Sequence, residues 1–154
     1  MKNTRLTSIL SSGLVASALA IGSLASTQFA SAQSSTPVAD VTIPFAFQTA
    51  TATLPAGSYR VIRESNDLIW LRGPGSAGAL VMTHTAVKVY APDHGTAVFA
   101  RYGDKYYLRQ IWTAGEPVGL EFPKGRAEKE SRMQAKNTQA ASSVELALNT
   151  VPKQ

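Results

Sequence analysis

Thr96-Ala97-Val98-Phe99-Ala100-Arg101-Tyr102-Gly103-Asp104-Lys105-Tyr106-Tyr107-Leu108-Arg109-Gln110-Ile111-Trp112 is the stretch that decides the fold. Two runs rich in aromatic and branched residues flank the pair Gly103-Asp104. A two-residue loop with Gly first, set between strand-like runs, predicts a type II′ β-hairpin. The loop fixes the register. With Tyr102 opposite Lys105, Arg101 pairs with Tyr106, Phe99 with Leu108 and Ala97 with Gln110, and Trp112 continues that face. Val98, Ala100, Tyr102, Tyr107 and Ile111 take the other face, with Lys105 and Arg109 among them. An open sheet would show one plainly polar face. Here both are largely apolar, so one meets a core and the other is covered by a second sheet or by a C-terminal segment.

The same texture extends outward on both sides. Short apolar runs broken by Gly, Pro, Asn and Asp predict strands near 41–48, 58–64, 68–72, 79–90, 96–102, 105–112, 118–122 and 143–148. The turns between them have mechanisms. Leu54-Pro55-Ala56-Gly57 places Pro where φ is fixed and Gly where φ can be positive, and Pro92-Asp93-His94-Gly95 repeats the logic. Ser65-Asn66-Asp67 reads as an Asx-type turn. The expected fold is all-β, an antiparallel sandwich or partly open barrel of about seven strands. Residues 40–122 form the β domain.

Past Pro123 the composition changes. Residues 126–141 are rich in Ala, Glu, Lys, Gln and Arg, with Arg126/Glu130 and Glu128/Arg132 at i,i+4 spacing, which suits a helix. Its apolar content is thin (Ala127, Met133, Ala135, Ala140), so 123–141 is expected to lie on the surface as a peripheral helix. A short strand and a frayed tail are expected over 142–154.

The N-terminus carries an address. Lys2 and Arg5 precede an uncharged run of Leu, Ala, Val and Ile diluted by Ser and Gly, which ends at Ala30-Ser31-Ala32. That is the layout of a secretory signal peptide over 1–32, cut before Gln33, with 33–39 a flexible lead-in. A retained anchor would need about 20 strongly apolar residues; Ser11, Ser12, Gly13, Ser17, Gly22 and Ser23 interrupt the run. The expected location is therefore periplasmic or extracellular, with no membrane span after cleavage. The chain has no Cys, which excludes disulfides, thiolate metal sites and a cysteine nucleophile. Removing Lys2 and Arg5 lowers the formal charge from +5 to +3, a mild basic excess that allows a weak preference for anionic envelope polymers or lipid head groups. Nucleic acid is not an expected partner.

Signals of chemistry are few. Gly73-Pro74-Gly75-Ser76-Ala77-Gly78 matches G-x-G-x-x-G, but a dinucleotide fold needs that motif between a strand and a helix. Here a β-rich segment follows, so the motif reads as a hairpin loop, and Pro74 rules out a nucleophile elbow at Ser76. The two histidines, His84 and His94, fall short of the three protein ligands a catalytic zinc usually takes, and Asp93 adjoins His94 too closely to serve one ion with it. His84 reads as a half-buried strand residue and His94 as an exposed turn residue. Glu64, Asp67, Asp93, Asp104 and Glu116 fall in expected turns rather than facing one another as catalytic carboxylates. No catalytic residue, metal or cofactor is assigned. Arg101, Tyr102, Lys105, Tyr107 and Arg109 are the candidate binding residues, because flat rings beside cations can stack on sugars. The same cluster serves a sheet equally well through cross-strand and cation–π pairs.

Ile43-Pro44-Phe45-Ala46-Phe47, Leu54-Pro55-Ala56-Gly57-Ser58-Tyr59-Arg60-Val61, Arg101-Tyr102-Gly103-Asp104-Lys105-Tyr106-Tyr107-Leu108 with Trp112, and Pro123-Lys124 with Arg126-Ala127-Glu128 follow one another in order. Together they resemble small secreted proteins of unknown function common in Acidobacteria-type soil bacteria, over roughly 41–130. The second of these segments also resembles the Pro/Gly turn that leads into a strand in Ig-like and transthyretin-like modules. Both resemblances imply a β fold and assign no catalytic residue. The expected function is a non-catalytic exported β module, binding or structural in the cell envelope, with an envelope polysaccharide or protein as partner. The alternative is a small envelope hydrolase using His84 or His94.

Overall fold

Burial alternates along the strands over 36–43, 68–72 and 78–82: one side chain enters the core and the next leaves it. The computed structural model describes residues 35–136 and 141–150. The expected signal peptide over 1–32, the start of the lead-in and the end of the tail lie outside the described residues. In chain order the elements are β1 (Thr36–Ile43), β2 (Phe47–Gln48), β3 (Thr53–Leu54), β4 (Gly57–Arg63), β5 (Leu68–Arg72), β6 (Gly78–Met82) and β7 (His84–Val87). They continue with β8 (Thr96–Tyr102), β9 (Lys105–Trp112), β10 (Val118–Glu121), α1 (Arg126–Lys136), β11 (Ala141–Ala147) and β12 (Asn149–Thr150). One sheet runs β12-β1-β4-β5-β6; the other runs β11-β8-β9-β10-β7, with β2 and β3 attached through β9. Neither sheet closes on itself, so the architecture is an all-β sandwich with a helix near the C-terminus.

The core lies between the sheets. Val41, Ile43, Tyr59, Val61, Ile69, Leu71 and Val81 come from the first sheet, and Phe47, Ala97, Phe99, Leu108, Ile111 and Leu120 from the second. Ile43-Pro44-Phe45-Ala46-Phe47 carries the chain across. Phe45 stacks on Tyr106 with ring centroids 3.9 Å apart and meets Phe99 edge-on at 5.3 Å. Phe47 in turn meets Phe99 and Tyr59 edge-on, so one aromatic chain links the two sheets. Such offset and edge-to-face pairs add to the gain from area burial.

The hairpin closes at Gly103, whose φ of 63° is the left-handed value a primed turn requires there. Phe99 pairs with Leu108, Arg101 with Tyr106 and Tyr102 with Lys105, as the sequence predicts. Beyond Phe99 the expected register fails. A β-bulge between Val98 and Phe99 pairs Ala97 with Ile111 rather than Gln110, and Val98 with Gln110. Strict alternation would send Ile111 out with Tyr107. One extra residue on β9 lets Leu108 and Ile111 both enter the core and turns Trp112 to the opposite face.

Other boundaries also move. The expected strand over 41–48 is two, β1 and β2, because Pro44 cannot donate to a ladder. Pairing starts at Thr36, inside the expected lead-in 33–39, where β1 runs against β4. The expected strand over 79–90 splits at Thr83 into β6 of one sheet and β7 of the other. Thr83 is buried and its backbone N–H donates to the Asp67 carbonyl at 2.7 Å, which pins the crossing point. The expected short C-terminal strand is the seven-residue β11, paired along the whole of β8. Within the described residues the helix ends at Lys136 and is partly sunk into the domain: Glu128, Ser131 and Ala135 are buried.

Candidate functional site

The hairpin cluster is divided between two environments. Tyr107 is buried, and its hydroxyl lies 2.9 Å from Ser131 Oγ and 3.3 Å from the Ala127 carbonyl it donates to. Arg109 is nearly as enclosed. It donates to the Phe122 carbonyl and contacts Glu121 at 3.1 Å and Glu128 at 3.5 Å. These two side chains fasten α1 to the sheet. Tyr102 is half-buried against Tyr107, with centroids 5.8 Å apart, and Lys105 is exposed at the turn. Arg101 lies on the opposite face, with its guanidinium 5.4 Å from the Tyr106 ring centre and its Nε donating to the Gly103 carbonyl at 2.7 Å. The five candidate residues are therefore not brought together as one open aromatic face.

The buried end of this cluster has an electrostatic cost. Glu128 Oε1 has no hydrogen-bond partner. Burial pushes the Glu128 carboxyl above its ordinary range, against the opposing pull of Arg109, Lys124 and Arg132.

Both histidines are exposed, and His84 is more open than the half-buried position the sequence suggests. His84 faces Glu121 across the β7–β10 pair, but that carboxylate is engaged by Arg109. His94 sits in the turn before β8. Among the described residues no group of three or more His, Cys, Asp or Glu side chains is placed to hold a metal ion.

The glycines of Gly73-Pro74-Gly75-Ser76-Ala77-Gly78 serve the β5–β6 turn. A Cβ on Gly73 would stand 2.3 Å from the Tyr59 ring, and Gly75 has φ 59°. Gly73 N–H donates to the Ala77 carbonyl at 2.8 Å, closing the loop.

An open apolar surface lies elsewhere, on the outer face of the β4–β5–β6 ladder. Ile62, Trp70 and Leu80 are cross-strand neighbours in one row, and Leu68 pairs with Met82 in the next. Leu68, Trp70 and Leu80, with Glu64 and Ser65 at the end, line a shallow groove of about 590 Å³. The Arg72 guanidinium lies 4.3 Å from the Trp70 ring centre, and Arg60 clasps Asp40 through two hydrogen bonds of 2.8 and 3.1 Å. This gives an amphipathic indole and an apolar floor, with the Arg72 cation at one end and Glu64 at the other. Such a surface can stack on a planar or sugar-like ligand and hold an anionic group at its edge. Sequence reasoning missed Trp70. Its available signal was that Leu68-Ile69-Trp70-Leu71 is apolar on both faces of a strand, although only one face meets the core.

Among the described residues no helix is long and apolar enough to cross a membrane. Comparison with protein-family models, with curated proteins and with solved structures finds no match to this chain.

Proposed function

We propose that this chain is an exported, non-catalytic β module of the cell envelope that acts by binding, with the outer face around Trp70 as its contact surface. It belongs on this reading with the small secreted proteins its turn and core motifs resemble. The observation that carries the reading is the Trp70 groove, an apolar surface left open to solvent and rimmed by Arg72. The signal-peptide layout of residues 1–32 supports export. An envelope polysaccharide with anionic substituents fits the indole and the Arg72 end of the groove. A hydrolase would need a histidine in a concavity beside a free carboxylate or hydroxyl, whereas His84 and His94 stand on the open surface.

The test is a pull-down on purified cell-wall polysaccharide. The wild-type chain and the His84→Ala/His94→Ala variant should be retained, and Trp70→Ala should lose most of its retention. Loss of biological activity in the double-histidine variant, with Trp70→Ala unaffected, would establish the hydrolase instead.

A further inference from the structure

Sheet edges invite other strands, and proteins usually protect them with charge, Pro, bulges or short length. The strand edges among the described residues are treated unequally, and that of β3 is only two residues long. β12 spans two residues, β11 carries Glu145, and β7 continues into Lys88, whose ammonium lies over the Trp112 ring at 4.3 Å. β6 has none of these devices. Between Arg72 and Lys88 there is no Asp, Glu, Lys or Arg, so the whole of β6 is free of formal charge. Its outward side chains, Leu80 and Met82, are 52% and 67% exposed, whereas Ala79 and Val81 fill the core.

From these observations we propose that β6 is the interface of a homodimer. Two copies join edge to edge, antiparallel about a two-fold axis, into one continuous sheet. Three features favour a second copy of this chain as the occupant. The chain is cationic, +5 in full and +3 without residues 1–32, so net charge disfavours self-association in general, but β6 itself carries no charge. The ends of β6 are oppositely marked. Gly78 pairs with Arg72 at one end; at the other, Met82 pairs with Leu68, next to Asp67 and close to Glu64, where the two carboxylates outnumber the single cation, Arg63. An antiparallel two-fold pair sets the Arg72 end of each copy against the acidic end of its partner, whereas a parallel pair would oppose like charges. Finally, Leu80 is the central residue of β6. A pair centred there places Leu80 against Leu80 and joins the two Trp70 grooves into one apolar surface, the self-complementary patch a two-fold interface requires. The dimer does not depend on what those grooves bind.

Sedimentation equilibrium of the purified protein tests this directly, with Leu80→Lys and Leu80→Glu as variants. Leu80 points away from the core, so both substitutions leave the packing between the sheets in place. The wild-type chain should be dimeric. Each variant alone should weaken the dimer by about tenfold or more, because like charges then face each other across the axis. An equimolar mixture of the two variants should restore it. Hydrogen exchange on the wild type gives an answer that needs no variant: amides of β6 should slow as concentration rises, and those of β11 should not. A wild-type chain that stays monomeric overturns the proposal, even if a strand from another protein occupies β6. So does a variant that dimerises as well as the wild type, or concentration-dependent protection confined to β11.

Discussion

The Tyr107 hydroxyl lies 2.9 Å from Ser131 Oγ, beneath the helix rather than in solvent. This one contact ties β9 to α1 and turns the most aromatic stretch of the chain into an internal seam. Tyr107 also donates to the Ala127 carbonyl, so the helix is held at two consecutive turns. Tyr107→Phe removes the hydroxyl and keeps the ring. It should lower stability by about 0.5–1.5 kcal/mol, the usual net worth of one hydrogen bond. Tyr107→Ala should cost about 3–5 kcal/mol, as large aromatic truncations do. Chemical denaturation of both variants checks this, and a Phe variant as stable as the wild type would mean the hydroxyl contacts contribute nothing.

Leu108 is buried opposite Phe99, and Lys129 is exposed on the helix. Leu108→Ala should lose about 2–5 kcal/mol through the lost contacts and the cavity left behind. Lys129→Ala should stay within about 0.5 kcal/mol. Thermal melts of the two variants side by side suffice. Similar shifts would show that the hairpin does not face the core as described.

Gly73 is held to glycine by the Tyr59 ring, which a Cβ would approach to 2.3 Å. Tyr59 is buried and its hydroxyl donates to the Pro55 carbonyl at 2.7 Å, so the ring has little freedom to yield. Gly73→Ala should therefore destabilise by about 1–3 kcal/mol, the cost of overpacking. It should leave retention on polysaccharide unchanged once the folded fraction is accounted for. An Ala variant as stable as the wild type would remove the packing explanation for this glycine.

Glu128 makes stability depend on pH in a particular direction. Desolvation raises its folded-state pKa, so the folded chain holds that proton more tightly than the unfolded chain does. Its favourable contribution is complete below the ordinary carboxylate value and fades as pH rises through the folded value. Glu128→Gln keeps the shape without the charge. Relative to the wild type, the Gln variant should gain in melting temperature between about pH 4 and pH 7. If it loses ground over that interval, the attraction of Arg109 outweighs burial.

Much of the fold could be read locally. Gly103-Asp104 set the turn, and the turn set the pairs from Tyr102–Lys105 back to Phe99–Leu108, because hairpin register follows from loop length and side chains alternate with period two. β5, β8 and β9 begin and end where composition places them. The Ala, Glu, Lys and Arg content of the segment after Pro123 was sufficient to indicate a helix.

What neighbours decide was not legible. The bulge at Val98/Phe99 exists because Leu108 and Ile111 must both reach the core of a twisted sheet, and strict alternation gives no hint of that demand. The break at Thr83 depends on the Asp67 carbonyl, which pairing of β5 with β6 brings beside it. Tyr107 and Arg109 read as a binding surface until α1 folds over them, and nothing local marks Trp70 as the residue whose side the sandwich leaves open. The sequence by itself determined where β5, β8, β9, the turn at Gly103-Asp104 and the helix start form, since those follow from φ/ψ preference and alternation along a few residues. Only the tertiary structure decided which apolar face is covered and which remains exposed, because burial depends on residues far away in the chain.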